Sequence, residues 1–333
     1  MAFRPSLSRA RKTARETELL AIRAAGLTKQ FGDEFAVRDI SFEIPRGKIF
    51  GFIGPSGSGK TTTVRLLTGL YEPTAGDAIV LGRSPRTFTQ STRERIGYMP
   101  QLFVLYPDLT VWENMSFAAS LYGMGFRRGR RLHEMLQFVE LDEHRGKLAR
   151  NISGGMQRRL SLAATLVHDP ELLFLDEPTT GIDPMLRRKF WDHFNELQNQ
   201  GRTLFITTQY VAEAAYCDYI GVMDEGRLLM VETPDGLRRR AFGGEVVDLC
   251  FKDRISYQAH VAPLRGMPFV QRRDVRPVDD HQIRLIVDEA STAMPLLMEW
   301  TRARGVEVES IEEYLPPFDD VFVEIVEKER GNG

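Results

Sequence analysis

A chain of 333 residues can form two domains, and 42% hydrophobic against 27% charged residues is the balance of an ordinary globular protein with a sizeable core. Its 44 basic and 46 acidic side chains leave a formal charge of −2, which gives no electrostatic case for nucleic acid. No apolar run approaches the roughly 20 residues a membrane-spanning helix needs, so a membrane role would require a partner that spans it. Cys217 and Cys250 form no metal-ligand spacing and fit a reduced cytosolic setting.

Taken in order, residues 1–17 open the chain as a flexible basic tail carrying Arg4, Arg9, Arg11, Lys12 and Arg15, without the apolar core of a signal peptide. Leu19 to Phe50 is strand-rich, with apolar–polar alternation across Ala36–Ile44. A short apolar strand, Lys48 to Ile53, leads into Gly54-Pro55-Ser56-Gly57-Ser58-Gly59-Lys60-Thr61. A helix starts at Thr61, Thr62 and Thr63. From about residue 102 to 170 the pattern is mostly helical. Thr110-Val111-Trp112-Glu113 has the form of a capping box, Gly123 and Gly125 end that helix, and a second helix covers about Arg130 to Val139. Leu172–Leu175 and Leu204–Thr208 read as buried strands of a parallel sheet. Asp224-Glu225-Gly226-Arg227 reads as a hairpin turn between two further strands. After Arg238-Arg239-Arg240, Gly243-Gly244 reads as a joint into a small α+β appendage. Its expected strands are Val246–Phe251, Ile283–Val287 and Val306–Ile311, and its expected helices Pro295–Arg304 and Asp319–Glu327.

The chemistry begins at Gly54–Thr61, a complete G-x-x-x-x-G-K-T phosphate-binding loop. Its glycines allow backbone N–H groups to converge on an anion, and the following helix adds its positive end. Lys60 is placed to reach the β- and γ-phosphates, and Thr61 to hold Mg²⁺. Asp176 and Glu177 directly follow a buried strand, at the sheet edge where α/β folds bind ligands. Asp176 suits the metal, and Glu177 suits taking a proton from an attacking water. Ser153-Gly154-Gly155 opens another helix and offers a second set of N–H groups for phosphate. Taken alone, these three residues are better explained as an ordinary serine N-cap with flexible glycines.

With these segments in this order, the sequence resembles the ATP-binding subunits of ABC transporters. The family signature, Leu-Ser-Gly-Gly-Gln, stands here as Ile152-Ser153-Gly154-Gly155-Met156. The resemblance implies an α/β P-loop NTPase core of ABC ATPase type, with an antiparallel β subdomain and a helical subdomain over about 102–170. It spans residues 18–240, leaving 241–333 as a C-terminal accessory domain. It implies a head-to-tail dimer, homo- or heteromeric, with ATP and Mg²⁺ between the phosphate loop of one subunit and the signature of the other. Gln101 matches the loop glutamine that touches metal and attacking water, Phe31 the aromatic that stacks on adenine, and Asp183 the acid of the loop bridging the two sites. Thr207-Thr208-Gln209-Tyr210 places Gln209 where the family usually has histidine. Glutamine can donate and accept hydrogen bonds but does not titrate near neutrality.

Leu105–Asn114 and the Asp-Val-Phe of Asp320-Val321-Phe322 resemble the branch that includes daunorubicin exporters of the ABC-2 type. That branch implies an integral membrane permease as partner, no nucleic acid, and a place at the cytoplasmic face of the membrane. A GTPase would carry a Lys-x-Asp guanine motif, and none occurs. The competing readings are a non-transport ABC ATPase and an ATP-sensing regulator, the latter kept open by Gln209.

Overall fold

The computed structural model describes residues 19–101 and 105–331. The basic tail expected at 1–17 lies outside them. The chain falls into two compact units that divide between Val231 and Glu232, ahead of the boundary expected at 240.

In chain order the first unit carries β1 (Leu20–Phe31), β2 (Glu34–Pro45), β3 (Ile49–Ile53), α1 (Lys60–Leu67), β4 (Ala75–Val80), β5 (Ile96–Met99) and α2 (Val111–Leu121). It continues through α3 (Gly129–Phe138), α4 (Gly154–Leu166), β6 (Leu172–Asp176), α5 (Pro184–Asn199), β7 (Thr203–Thr208), β8 (Tyr219–Asp224) and β9 (Arg227–Glu232), whose last residue opens the second unit. One sheet has the order β2-β1-β4 and is antiparallel. The other has the order β5-β6-β7-β3-β8-β9, and β5, β6, β7, β3 and β8 run parallel. Every residue of β3, β6 and β7 is buried, as a parallel sheet covered on both faces requires.

Phenylalanine holds the two sheets together. Phe42 of β2 packs against Phe50 and Phe52 of β3 and Phe205 of β7, and Phe174 of β6 joins through Phe205, with centroid separations of 5.3–6.2 Å. Such ring pairs contribute about 0.5–1.5 kcal/mol each beyond burial. The strands that carry the site are thus clamped from the antiparallel side.

The helical region forms as its sequence suggests. Thr110 and Glu113 make the reciprocal capping box that starts α2, and Gly123 takes a left-handed φ of 70° just beyond its end. Between β8 and β9, Glu225 and Gly226 have φ of 45° and 79°, the pair of positive values a two-residue hairpin turn needs.

The second unit contains α6 (Pro234–Phe242), β10 (Glu245–Phe251), β11 (Val270–Pro277), β12 (Gln282–Val287), α7 (Ala290–Ala303), β13 (Val308–Tyr314) and α8 (Phe318–Gly331). Its antiparallel sheet has the order β11-β12-β10-β13, and its core joins Val247, Leu249, Leu285 and Val287 to Ala293, Leu297 and Trp300 of α7. Gly243 is not a joint between domains. It is the left-handed cap of α6, at φ 80°. Helix α7 starts at Ala290 rather than Pro295, because Ala290 and Ala293 are buried in the core and Glu245 accepts the Ala290 N–H at 2.6 Å. β11 was not legible: Val270-Gln-Arg-Arg-Asp-Val-Arg-Pro277 is a polar edge strand that ends on a proline.

Gly59 shows how tightly the phosphate loop is seated. Its φ is 101°, and a Cβ there would lie 2.3 Å from the Ala36 carbonyl oxygen. Gly57, at φ 81°, has open space around the same position. Gly59→Ala is expected to cost about 2–3 kcal/mol in urea denaturation, and Gly57→Ala about 1 kcal/mol from backbone strain alone. Equal costs would contradict the packing argument.

Candidate nucleotide site

The site is built where neighbouring strands end. Asp176, the last residue of β6, is in register with Thr207 of β7, and Ile53, the last of β3, with Thr208. The phosphate loop leaves β3 at that same level, with the Gly54 N–H 3.4 Å from the Thr208 carbonyl. The hairpin turn supports it from the other side, Gly226 N–H donating to the Ser58 carbonyl at 3.1 Å.

Lys60 is 4% exposed, and its ammonium donates to the Gly54 and Pro55 carbonyls at 2.8 Å each. Glu177 Oε1 lies 3.9 Å away. Burial pushes the Lys60 pKa down, and the Glu177 and Asp176 carboxylates oppose that shift. The ammonium therefore sits curled into its own loop, desolvated and held by two carbonyls with Glu177 beside it.

Asp176 is fully buried. Its Oδ1 accepts from Thr207 Oγ1 at 2.6 Å and Thr61 Oγ1 at 3.0 Å, while Oδ2 has no hydrogen-bond partner. Burial raises its pKa, the two threonine hydroxyls counter that, and Glu177 adds to it. A buried carboxylate with a spare oxygen beside a threonine hydroxyl fits Mg²⁺ held jointly with phosphate oxygens. Among the described residues no cluster of three or more His, Cys, Asp or Glu could hold a metal without such a ligand.

Glu177 stands in the left-handed region at φ 49°, which costs a non-glycine residue about 1 kcal/mol. Its neighbours over-determine it. The Glu177 N–H donates to Thr207 Oγ1 at 3.0 Å and to the Thr207 carbonyl at 3.1 Å. Oε2 accepts from Gln101 Nε2 and from Thr180 Oγ1, both at 3.0 Å. Gln101, just past β5, is thereby brought to Glu177, and Oε1 is left toward Lys60.

The signature segment is placed elsewhere. Ser153 caps α4 by accepting the Met156 N–H at 3.2 Å, the ordinary serine N-cap that the sequence allowed. Asp183 caps α5, its Oδ1 accepting from Met185 and Leu186 N–H at 3.0 Å. Ser153, Gly155, Gly181 and Asp183 line one shallow pocket, whose lining holds no residue of the phosphate loop. Phe31 is 46% exposed at the end of β1, edge-on to Tyr71 at 5.5 Å with the Lys29 ammonium 4.9 Å from its ring centroid. Gln209 follows β7 and is exposed; its neighbour Tyr210 stacks under the Arg187 guanidinium at 4.0 Å.

No local motif marks Thr207 or Arg158 as a functional residue. Arg158, 8% exposed, donates to the Gln101 carbonyl at 2.6 Å and to the Glu177 carbonyl at 3.0 Å. A signal for it does exist. Arg158, Ser161, Leu162, Thr165 and Leu166 are all buried and share one helical stripe, so this arginine sits in phase with the core.

Residues 37–180 match the family model described as ABC transporter. The chain is 36% identical over 317 residues to the daunorubicin resistance ATP-binding protein DrrA3 of Streptomyces coeruleorubidus, covering 93% of this chain and 97% of that one. It is 40% identical over 228 residues to the probable multidrug ABC transporter ATP-binding protein YbhF of Escherichia coli, covering 68% of this chain but only 39% of YbhF. Among solved structures it resembles the dimeric ATP-binding cassette MJ0796 bound to ADP and Pi, with a TM-score of 0.59, 25% identity, and coverage of 64% and 98% respectively. The chain belongs to the ABC transporter ATP-binding family.

The raised Asp176 pKa has a testable sign. Since the folded value lies above the unfolded one, the stability this group contributes is present below about its ordinary 3.8 and is lost as pH rises through the raised value. In nucleotide-free protein at neutral pH, ionised Asp176 therefore weakens the fold. Asp176→Asn is expected to raise the melting temperature there by about 2–4 °C, with the gain shrinking toward pH ~4. It should also remove the Mg²⁺-dependent part of stabilisation by ATP. A melting point lowered equally at both pH values would contradict this.

Proposed function

We propose that this chain binds and hydrolyses MgATP as the motor subunit of an exporter. In this reading it works as a head-to-tail pair, beside an integral membrane permease of ABC-2 type at the cytoplasmic face of the membrane. One observation carries the reading. At the carboxyl ends of β3, β5 and β6, Lys60 and Gln101 both reach Glu177, while Thr61 donates to the adjacent Asp176.

Within that reading each group has a physical task. The loop N–H groups and Lys60 take the β- and γ-phosphate charge. Thr61 and Asp176 hold Mg²⁺, which when bound neutralises phosphate charge, and Gln101 reaches the same place. Glu177 accepts the proton of the attacking water. Gln101 and Thr180 occupy Oε2, so the proton falls to Oε1. Phe31 offers its exposed ring to adenine. Gln209 senses the γ-phosphate as a neutral group, so turnover should show no titration assignable to that position.

Ser153, Gly154 and Gly155 serve the partner's nucleotide, and Asp183 stands in the loop that bridges the two sites. Their separation from the phosphate loop within one chain supports this assignment. A site completed only on closure binds ATP more tightly in the closed state, and that difference in affinity drives the motion. The multidrug, daunorubicin-resistance and Nod-factor-export names borne by relatives support export of a drug-like or lipid-like molecule.

Glu177→Gln keeps the side-chain shape and removes the base. Turnover is expected to fall by about 10²-fold or more, with ATP remaining bound to the recovered protein. Unchanged turnover would overturn the assignment of Glu177 as base.

A further inference from the structure

Arg158 occupies an unusual position. It belongs to α4, the helix whose N-terminus presents Ser153, Gly154 and Gly155. It lies one turn, about 6 Å along the axis, from Gly154. Its guanidinium turns inward and bonds two backbone carbonyls of its own subunit, those of Gln101 and Glu177. The next residue, Arg159, turns the other way and donates to the Val139 carbonyl at 2.9 Å, anchoring α4 to the end of α3.

We propose that Arg158 is a positioning residue that couples the two nucleotide sites of the pair. The helix that meets the partner's nucleotide also grips, through Arg158, the two residues that handle water in its own site. This rests on the head-to-tail ATP reading above.

Three observations carry it. The guanidinium is a rigid planar fork, so its two bonds fix the Gln101 and Glu177 backbones relative to each other and to α4. Glu177 is held in the left-handed region, a conformation that persists only where its surroundings enforce it, and its carbonyl is one of the two groups Arg158 holds. The side chain is nearly buried and its bond to the Glu177 carbonyl is buried, so a shift of α4 cannot be absorbed there by exchanging that bond for water. When α4 moves onto the partner's nucleotide, Arg158 carries the move to Glu177 and Gln101.

The full chain distinguishes coupling from simple packing. Hydrogen exchange would be followed with and without MgATP in peptides covering 54–67, 96–101 and 172–180, for the wild type, Arg158→Met and Arg158→Lys. Nucleotide affinity and turnover against ATP concentration would be measured on the same samples. In Arg158→Met, the nucleotide affinity is expected to stay within about twofold of wild type and 54–67 to keep its ATP-induced protection. Protection of 96–101 and 172–180 should be lost. Turnover should fall by about tenfold, and its dependence on ATP should become non-cooperative. Arg158→Lys, which keeps charge and one bond, should be intermediate and controls for folding.

Retained protection at 172–180 in a folded Arg158→Met protein would overturn the proposal, as would equal loss at all three segments. Exchange does not require hydrolysis. A wild type that gains protection without turning over ATP would therefore sink the ATPase reading and leave the coupling standing. A wild type with no ATP-induced protection would sink both.

Discussion

Parallel pairing of β6, β7 and β3 sets Asp176 beside Thr207 and Ile53 beside Thr208, and the site follows from that register. A slip of one residue would turn Asp176 to the opposite face of the sheet. The register is held by burial on both faces and by a phenylalanine cluster that ties three of the parallel strands to β2 of the antiparallel sheet. Hydrophobic packing thus sets the position of a buried acid to within hydrogen-bond distance of Thr61 on a different element.

The same register places groups that are costly to bury. Asp176 has an orphaned oxygen, Lys60 is desolvated, and Glu177 is strained. In the proposed function each cost has a counterpart in a ligand: a cation for the acid, phosphate for the lysine, a water to be deprotonated for the glutamate. Uncompensated cost in the empty site becomes differential affinity for the filled one. Arg158 extends this logic beyond a single site in the proposed pair, because it ties the strained glutamate to α4, the helix proposed to meet the partner's nucleotide.

What the sequence made legible was chemistry tied to local spacing. The phosphate loop lies within eight consecutive residues with its strand before and helix after, and Asp176-Glu177 follows an unbroken apolar run. The capping box at Thr110 is likewise a four-residue signal. Thr207 as the partner of Asp176 was not legible, because the two are brought together by strand pairing across 31 positions. In the second unit, β11 and the outer part of β13 are polar edge strands with weak alternation, so tertiary pairing rather than pattern defines them. Gly243 reads as a hinge by composition, yet it serves as a helix cap. Arg158 lay between these cases: its stripe was visible, but the two carbonyls it holds are 57 and 19 residues away.

The central claim is that one chain carries two halves of different sites. Sedimentation of the Glu177→Gln protein with and without MgATP tests this most directly, with Ser153→Arg added in the same background. The account predicts dimers in MgATP, monomers without it, and monomers in both conditions once Ser153 is replaced. Monomers throughout, or an ATP-dependent dimer indifferent to Ser153, would contradict it.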